Sequence, residues 1–328
     1  MSSIRVGMIG TGGIAHWHGR QLLELTEVEI RAIADPSEAN RARFVETFGL
    51  GETAQFADYE EMLAQAELDA VVLCSPHTMH YEQASAALQR GLHVLIEKPM
   101  TCSSEEAEKL IVQAEQAGRV LQVSYQRHFQ PEFLYIRDAI ARGEIGKLTS
   151  VTASLYQEWG QGTEGSWRQN PALSGGGFLM DSGSHIIDVL LWTTGLKPLE
   201  IQASLSKRHT PVEIDSFTTI RFEGDVLAGL NLVGWSPCWH ETYIFCGETG
   251  GIFYDNGKIT LRRLREEPIV PELPQQTTNQ DKSFIDAIAG RIPVQVTGEF
   301  ALQVVRFSES VYKAAGYSPI PATGEVKP

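Results

Sequence analysis

Cysteine is scarce. The four residues, Cys74, Cys102, Cys238 and Cys246, show no C-x-x-C spacing. That argues against a disulfide-stapled secreted domain and against a thiolate zinc site, and favours a chain kept reduced in the cytoplasm. Positive charge is also in deficit: 27 Lys and Arg stand against 41 Asp and Glu, a formal charge of −14, and no basic run offsets it. A nucleic-acid backbone or an anionic membrane surface would be repelled, so neither is an expected partner. No apolar stretch approaches the roughly 20 residues of a membrane span. The first residues pass directly into a strand pattern, which leaves no room for a signal peptide. Internal repeats are absent. What remains is the composition of an ordinary globular enzyme, 42% hydrophobic and 21% charged, in 328 residues. That length suits two domains better than one.

The most informative stretch is the first thirty-five residues. Ile4, Val6, Met8 and Ile9 form a short apolar run that breaks at Gly10-Thr11-Gly12-Gly13-Ile14-Ala15. A helical pattern through Leu22, Leu23 and Leu25 follows, then a second apolar run from Val28 to Ala34 that ends in Asp35. Strand, glycine turn, helix and strand in this order make up the G-x-G-x-x-G/A dinucleotide fingerprint. Gly10 is placed for the sharp turn, Gly12 for close approach of backbone to a pyrophosphate, and Ala15 for tight helix–sheet packing. The free N–H groups and dipole of the helix start favour phosphate. Asp35, about 20 residues past Ala15, is where a carboxylate accepts hydrogen bonds from a ribose and repels a 2′-phosphate. NAD is therefore expected over NADP, with Arg41 the residue to suspect if the preference runs the other way.

Helix and strand signals alternate as far as residue 124. The strand runs are apolar throughout: Asp69 to Cys74, His93 to Ile96 and Arg119 to Ser124. Helices are expected from Ser37 to Phe48, after Asp58, from about Thr78 to Arg90, and from Ser103 to Ala117, stopped by Gly49, Gly91 and Gly118. Uninterrupted apolar strands separated by helices predict a doubly wound parallel sheet, a Rossmann domain over 1–124. From 125 to 328 the pattern changes. After a helix from Glu132 to Arg142 come strand patterns at Leu148 to Tyr156, Phe217 to Phe222, Val226 to Trp235, Glu241 to Cys246, Gly251 to Tyr254 and Lys258 to Leu264. Glu223-Gly224-Asp225 and Asp255-Asn256-Gly257 read as hairpin turns. A second α/β domain with a large, mainly antiparallel open sheet is predicted. Its strands carry apolar residues on both faces, so the free face is expected to meet a copy of itself in a homodimer or homotetramer. A surface loop over 265–280 and helices at Lys282 to Ala289 and Gly298 to Ala315 complete the chain.

Two stretches carry candidate chemistry. Glu97-Lys98-Pro99 lies at the carboxyl end of a parallel strand, the edge where such sheets bind ligands. Lys98 there is either a donor to a substrate oxygen or a solvated surface lysine. The second stretch, Ser174-Gly175-Gly176-Gly177 through Asp181, His185 and Asp188, reads as a glycine run feeding a helix buried by Ile186, Ile187, Leu190 and Leu191. Asp181, His185 and Asp188 at i, i+4 and i+7 would share one stripe. Either they face a ligand or they are a capped helix with a hydrogen-bonded histidine. The glycines would admit another molecule to the backbone, and the dipole near the helix start would keep His185 neutral and able to accept a proton.

Taken together, G-T-G-G-I-A, Asp35, E-K-P and S-G-G-G-F-L-M-D-S-G-S-H-I-I-D resemble the Gfo/Idh/MocA oxidoreductase family over the whole chain. The resemblance implies NAD(P)-dependent hydride transfer at a hydroxyl-bearing carbon of a sugar, inositol or other polyol. It implies a catalytic lysine at Lys98 and a paired acid and histidine at Asp181 and His185. In that reading His185 is the base, Asp181 orients it or holds a hydroxyl, and Lys98 polarises the substrate oxygen. By position, Arg127 and the pair Trp167-Arg168 border the nicotinamide and substrate in similar proteins. Arg127 could equally make ion pairs, and Trp167 could pack an interface. In Ser75-Pro76-His77-Thr78-Met79-His80, His77 stands where the family often has asparagine. His80 matches the usual histidine, which could be purely structural. Glu97 and Ile14 complete the implied cofactor-binding set. His16 and His18 read as polar helix positions, and His128, His209 and His240 have no evident partners, so no metal site is expected. Two rivals share the motifs: redox-neutral elimination or glycosidic cleavage with held NAD, and a non-catalytic sugar or NAD sensor.

Overall fold

A computed structural model describes residues 3–319 as two compact units. In chain order its elements are β1 (Ile4–Ile9), α1 (Gly13–Leu23), β2 (Val28–Ala34), α2 (Glu38–Phe48), β3 (Ala54–Phe56), α3 (Tyr59–Gln65), β4 (Ala70–Leu73), α4 (His80–Gln89), β5 (His93–Ile96), α5 (Ser104–Ala117) and β6 (Leu121–Val123). Then come α6 (Pro131–Ala141), β7 (Leu148–Tyr156), the short α7 (Trp159–Gly162) and α8 (Pro171–Ser174), α9 (Gly183–Thr194), β8 (Pro198–Ser206), β9 (Asp215–Phe222), β10 (Leu227–Val233), β11 (His240–Gly247), β12 (Gly250–Asp255), β13 (Lys258–Arg263), α10 (Gln280–Ile288) and α11 (Gly298–Ala314). No helix among the described residues is long and apolar enough to cross a membrane.

The first unit is a Rossmann fold. Its six strands pair in parallel in the order β3-β2-β1-β4-β5-β6. The order reverses between β1 and β4, and ligands of such sheets bind beyond the carboxyl ends of the strands at that point. Val6, Met8, Ile30, Ile33, Val72 and Leu95 are buried in one core with Ala15 and Leu22 of α1. Capping follows the sequence. Ser37, Asp58 and Ser103 each accept a backbone N–H at a helix start, and Gly49 and Gly118 take left-handed conformations at helix ends. Residues 278–302 also belong to this unit, although they fall in the 125–328 stretch of the sequence reading. The reason is α10, whose Phe284 and Ile285 enter the β1–β4 core. The short edge strand β3, with its two exposed residues, has too little apolar pattern to be foreseen.

The second unit is built on a seven-stranded sheet ordered β13-β12-β11-β7-β10-β9-β8, in which only β7 and β10 run parallel. Every second residue of β9 and β10 is buried, as period-2 burial requires. The opposite face carries Phe217 and Leu227, each about half exposed, among Thr219, Asn231, Thr152 and Ser154. It is thus less apolar than the sequence suggested. Strand β8, exposed or half-exposed along its whole length, also went unforeseen.

Candidate active site

The glycine loop of the first unit divides its labour by position. Gly10 has φ +84°, and a Cβ there would lie 2.8 Å from the Cys74 carbonyl carbon, so only glycine fits the turn. Gly12 and Gly13 are different: a Cβ on either meets nothing within 4 Å. Open space over two backbone positions at the start of α1, where N–H groups lack helical partners, is what a pyrophosphate requires. Thr11 is buried, and its N–H donates to Asp35 Oδ2 at 2.8 Å, with its hydroxyl at 3.2 Å. Oδ1 of Asp35 accepts from the Ser37 amide at 2.8 Å. The carboxylate that ends β2 thus holds the glycine loop in place, a role the sequence did not suggest. Asn40 Nδ2 stands 3.5 Å from Asp35 Oδ2, and Arg41 donates to the Asp35 carbonyl.

The next loop follows β4. Ser75 donates to Gln83, and Pro76 precedes a 3-10 turn containing His77, which is buried with its ring 5.9 Å from that of His80 and steeply inclined to it. His80 is fully buried. Its Nδ1 lies 2.8 Å from the Pro99 carbonyl oxygen and its Nε2 3.0 Å from that of Ser75. Burial lowers its basicity, though both carbonyls oppose this. Closed off from solvent, His80 ties the β4 loop to the β5 loop, the structural alternative left open by the sequence. Lys98 is half-buried, and its backbone N–H donates to Glu97 Oε2 at 3.1 Å. The Lys98–Pro99 peptide is cis.

His18 is where the sequence reading fails in this unit. It is no polar helix position but a buried imidazole between two carboxylates, Nδ1 2.7 Å from Asp281 and Nε2 3.0 Å from Glu97. The partner on α10 lies 263 positions away in the chain, beyond any local pattern.

In the second unit α9 begins at Gly183, after Asp181. Asp181 therefore occupies the preceding turn, and the expected three-residue stripe does not form. Asp181 Oδ2 accepts from the Trp159 indole at 2.8 Å and from Arg168 Nε at 2.9 Å. Arg168 in turn lies over the Trp167 ring, 4.5 Å from its centroid. Trp159, 2% exposed, was missed as an acid-orienting residue because nothing local links it to a position 22 residues on. Asp188 turns elsewhere and pairs with His128 Nε2 at 2.7 Å, while His128 stacks on Trp192. His185 is half-buried, four residues after Asp181 and three before Asp188 in the sequence. His240, also assigned no partner from sequence, pairs with Asp255 at 2.8 Å.

Two further expectations change. Arg127 is 5% exposed and lies in a buried cluster, 2.7 Å from Glu241 and 2.8 Å from the Tyr243 hydroxyl. This is the ion-pair alternative. The glycine run does admit close backbone approach, but of the protein itself: a Cβ on Gly177 would fall 2.0 Å from the Glu213 carbonyl oxygen. The Gly177 amide donates to Glu213 Oε1, which also accepts from Tyr312.

Residues 4–125 match the model of an oxidoreductase family described as an NAD-binding Rossmann fold, and residues 133–253 match that of a GFO/IDH/MocA C-terminal domain. The rhizopine catabolism protein MocA of Rhizobium meliloti is 33% identical over 326 residues, covering 94% of each chain. The D-glucoside 3-dehydrogenase of Escherichia coli (strain K12) is 29% identical, covering 96% of each. Among solved structures, the WlbA dehydrogenase from Bordetella pertussis in complex with NADH and UDP-GlcNAcA shares the fold at a TM-score of 0.85 and 23% identity, over 96% of this chain and 97% of that one.

Proposed function

Because the chain belongs to the Gfo/Idh/MocA family of oxidoreductases, we propose that it is an NAD-dependent dehydrogenase of sugars or polyols, inositol-like compounds among them. The observation that carries this reading is the glycine loop, closed by packing at Gly10 and open over Gly12 and Gly13, with Asp35 holding Thr11 behind it. These residues fit a dinucleotide. Gly12 and Gly13 would take the pyrophosphate and Asp35 the ribose side, with the Ser75-Pro76-His77 turn alongside. NAD, when bound, supplies the hydride acceptor.

The chain's own residues would supply the rest. His185 is assigned the base that takes the hydroxyl proton at a ring nitrogen. Asp181, whose Oδ2 is held by Trp159 and Arg168, would orient His185 or receive a second hydroxyl of a polyol. The Lys98 amine would donate to the substrate oxygen as negative charge develops on it. Trp167 and Arg168 are assigned to the substrate and Arg127 to positioning its surroundings. A homodimer or homotetramer through the outer sheet face around Phe217 and Leu227 belongs to the same reading. The test is appearance of NADH across a panel of polyols and sugars, repeated with His185→Ala. Turnover of a substrate without net NADH would favour redox-neutral cleavage, and sugar binding without turnover would favour a sensor.

A further inference from the structure

The assigned lysine is flanked by two residues that are each held by a buried histidine. Pro99 presents its carbonyl to His80 at 2.8 Å, and Glu97 presents Oε1 to His18 at 3.0 Å while its Oε2 receives the Lys98 amide. His80 also sets two ring nitrogens against two acceptors, but these are neutral carbonyls, whereas at His18 both acceptors are carboxyl groups. Both ring nitrogens face carboxylate oxygens, and an ionised carboxylate only accepts. A neutral imidazole has one N–H, so one of the two contacts would set lone pair against anion. Only the imidazolium satisfies both.

We propose that His18 is a positioning residue: as a buried imidazolium clamped by Asp281 and Glu97, it fixes the Glu97 carboxylate and thereby the backbone that carries the Lys98 amine. The role rests on the dehydrogenase reading for its purpose, but the clamp itself does not.

The surroundings support this. Side-chain exposure is 1% for His18, 11% for Glu97 and 0% for Asp281, so water cannot replace either contact. Burial opposes the His18 charge, yet Asp281 and Glu97 outweigh it and raise the imidazole to about 10. Burial likewise opposes the Glu97 charge, and His18 with Lys98 reverses the effect, leaving that carboxyl below its usual range. Asp281 is displaced upward by burial, with His18 working against the shift. The other groups facing the cluster are Gln21 of α1, which with its amide nitrogen turned inward donates to Asp281 Oδ2, Ser124 after β6, and Cys74 after β4. Cys74 is pushed well up by burial, then by Glu97 and Asp281, and stays a neutral thiol.

The cofactor-free protein gives the first test, by ring-nitrogen NMR. His18 is expected to stay doubly protonated from pH 6 to about 8.5, and a neutral ring at pH 7 would overturn the proposal. The second test methylates the lysine amines with labelled carbon and compares wild type with His18→Gln. The Lys98 resonance is expected to move while that of the exposed Lys258 stays, and an unmoved Lys98 would overturn it. With a polyol substrate in hand, His18→Gln should lower kcat by about 10- to 100-fold with NADH affinity held within about threefold. It should also add an acid limb to the kcat profile, because Glu97 without its cation binds a proton at higher pH. That limb should vanish in the His18→Gln, Glu97→Gln double variant. A kcat loss with an unchanged pH profile would mark a merely structural residue. If wild type reduces NAD with no polyol, the functional reading fails, and the two NMR experiments still decide the clamp. Should His18→Gln not fold, the wild-type ring-nitrogen titration stands alone.

Discussion

Replacing Gly12 by alanine separates cofactor binding from folding, because the proposed dinucleotide cradle needs this glycine and the packing around it does not. Its backbone, φ −72° and ψ −163°, is extended and open to any residue, and a Cβ meets nothing within 4 Å. The fold should therefore tolerate the methyl. A Gly→Ala change at a compatible backbone position stabilises by about 0.4–1 kcal/mol through the unfolded chain. The melting temperature is then expected to hold or rise by a few degrees. The dinucleotide, by contrast, would meet a methyl where it needs backbone. Overpacking one methylene costs about 1–3 kcal/mol, which is a loss of roughly 5- to 150-fold in affinity at about 1.4 kcal/mol per decade. Isothermal titration of wild type and Gly12→Ala with NADH, beside thermal melts of both, measures the two effects independently. An affinity within twofold of wild type would refute the cradle, and a melting temperature several degrees lower would refute the account of why the loop is glycine.

Other consequences are as specific. Gly177→Ala should destabilise the fold by about 1–3 kcal/mol or more by overpacking, since its Cβ would strike the Glu213 carbonyl; an unchanged melting temperature would contradict this. Asp35→Ser should relax the preference for NAD toward NADP in competitive binding. It should also destabilise the loop by about 1–3 kcal/mol, because the buried Thr11 amide loses its acceptor. Wild type that already bound NADP better would void the ribose argument and direct attention to Arg41. Burial raises the Glu213 carboxyl above its usual range, so the folded protein holds that proton to higher pH than the unfolded chain. Stability from this group is greatest below the unfolded carboxylate range and falls as pH rises through the folded value. Glu213→Gln, whose Oε1 can keep both hydrogen bonds, should therefore raise the melting temperature at pH 8 by more than at pH 4.5; the reverse ordering would contradict the assignment.

How much of this was legible beforehand follows from the range of each interaction. The glycine loop, Asp35 and E-K-P are local patterns, and the parallel sheet that presents them could be read from uninterrupted apolar strands. The open sheet of the second unit was legible from alternation except at β8, and the parallel sheet of the first except at β3, because the exposure of these two strands leaves no pattern to read. What the sequence hid is pairing at a distance. His18 looked like a polar position because Asp281 lies far along the chain, and α10 looked like part of the second unit for the same reason. The Gly175–Gly177 run signalled close approach correctly, but a sequence cannot say whether the approaching group is a ligand or the backbone of Glu213. Asp181 was misplaced by two residues, enough to move it off the helix and into the reach of Trp159.

The central claim is that Lys98, Asp181 and His185 serve oxidation of a polyol hydroxyl by NAD. The most direct measurement is initial-rate formation of NADH from NAD with a panel of inositols and sugars, wild type against His185→Ala. The account predicts turnover of at least one polyol, and a kcat in the variant lower by about 100- to 10,000-fold, as for loss of a general base, with NADH affinity retained. NADH formation at equal rates in both proteins, or none with any polyol from a folded, NAD-binding wild type, would contradict it.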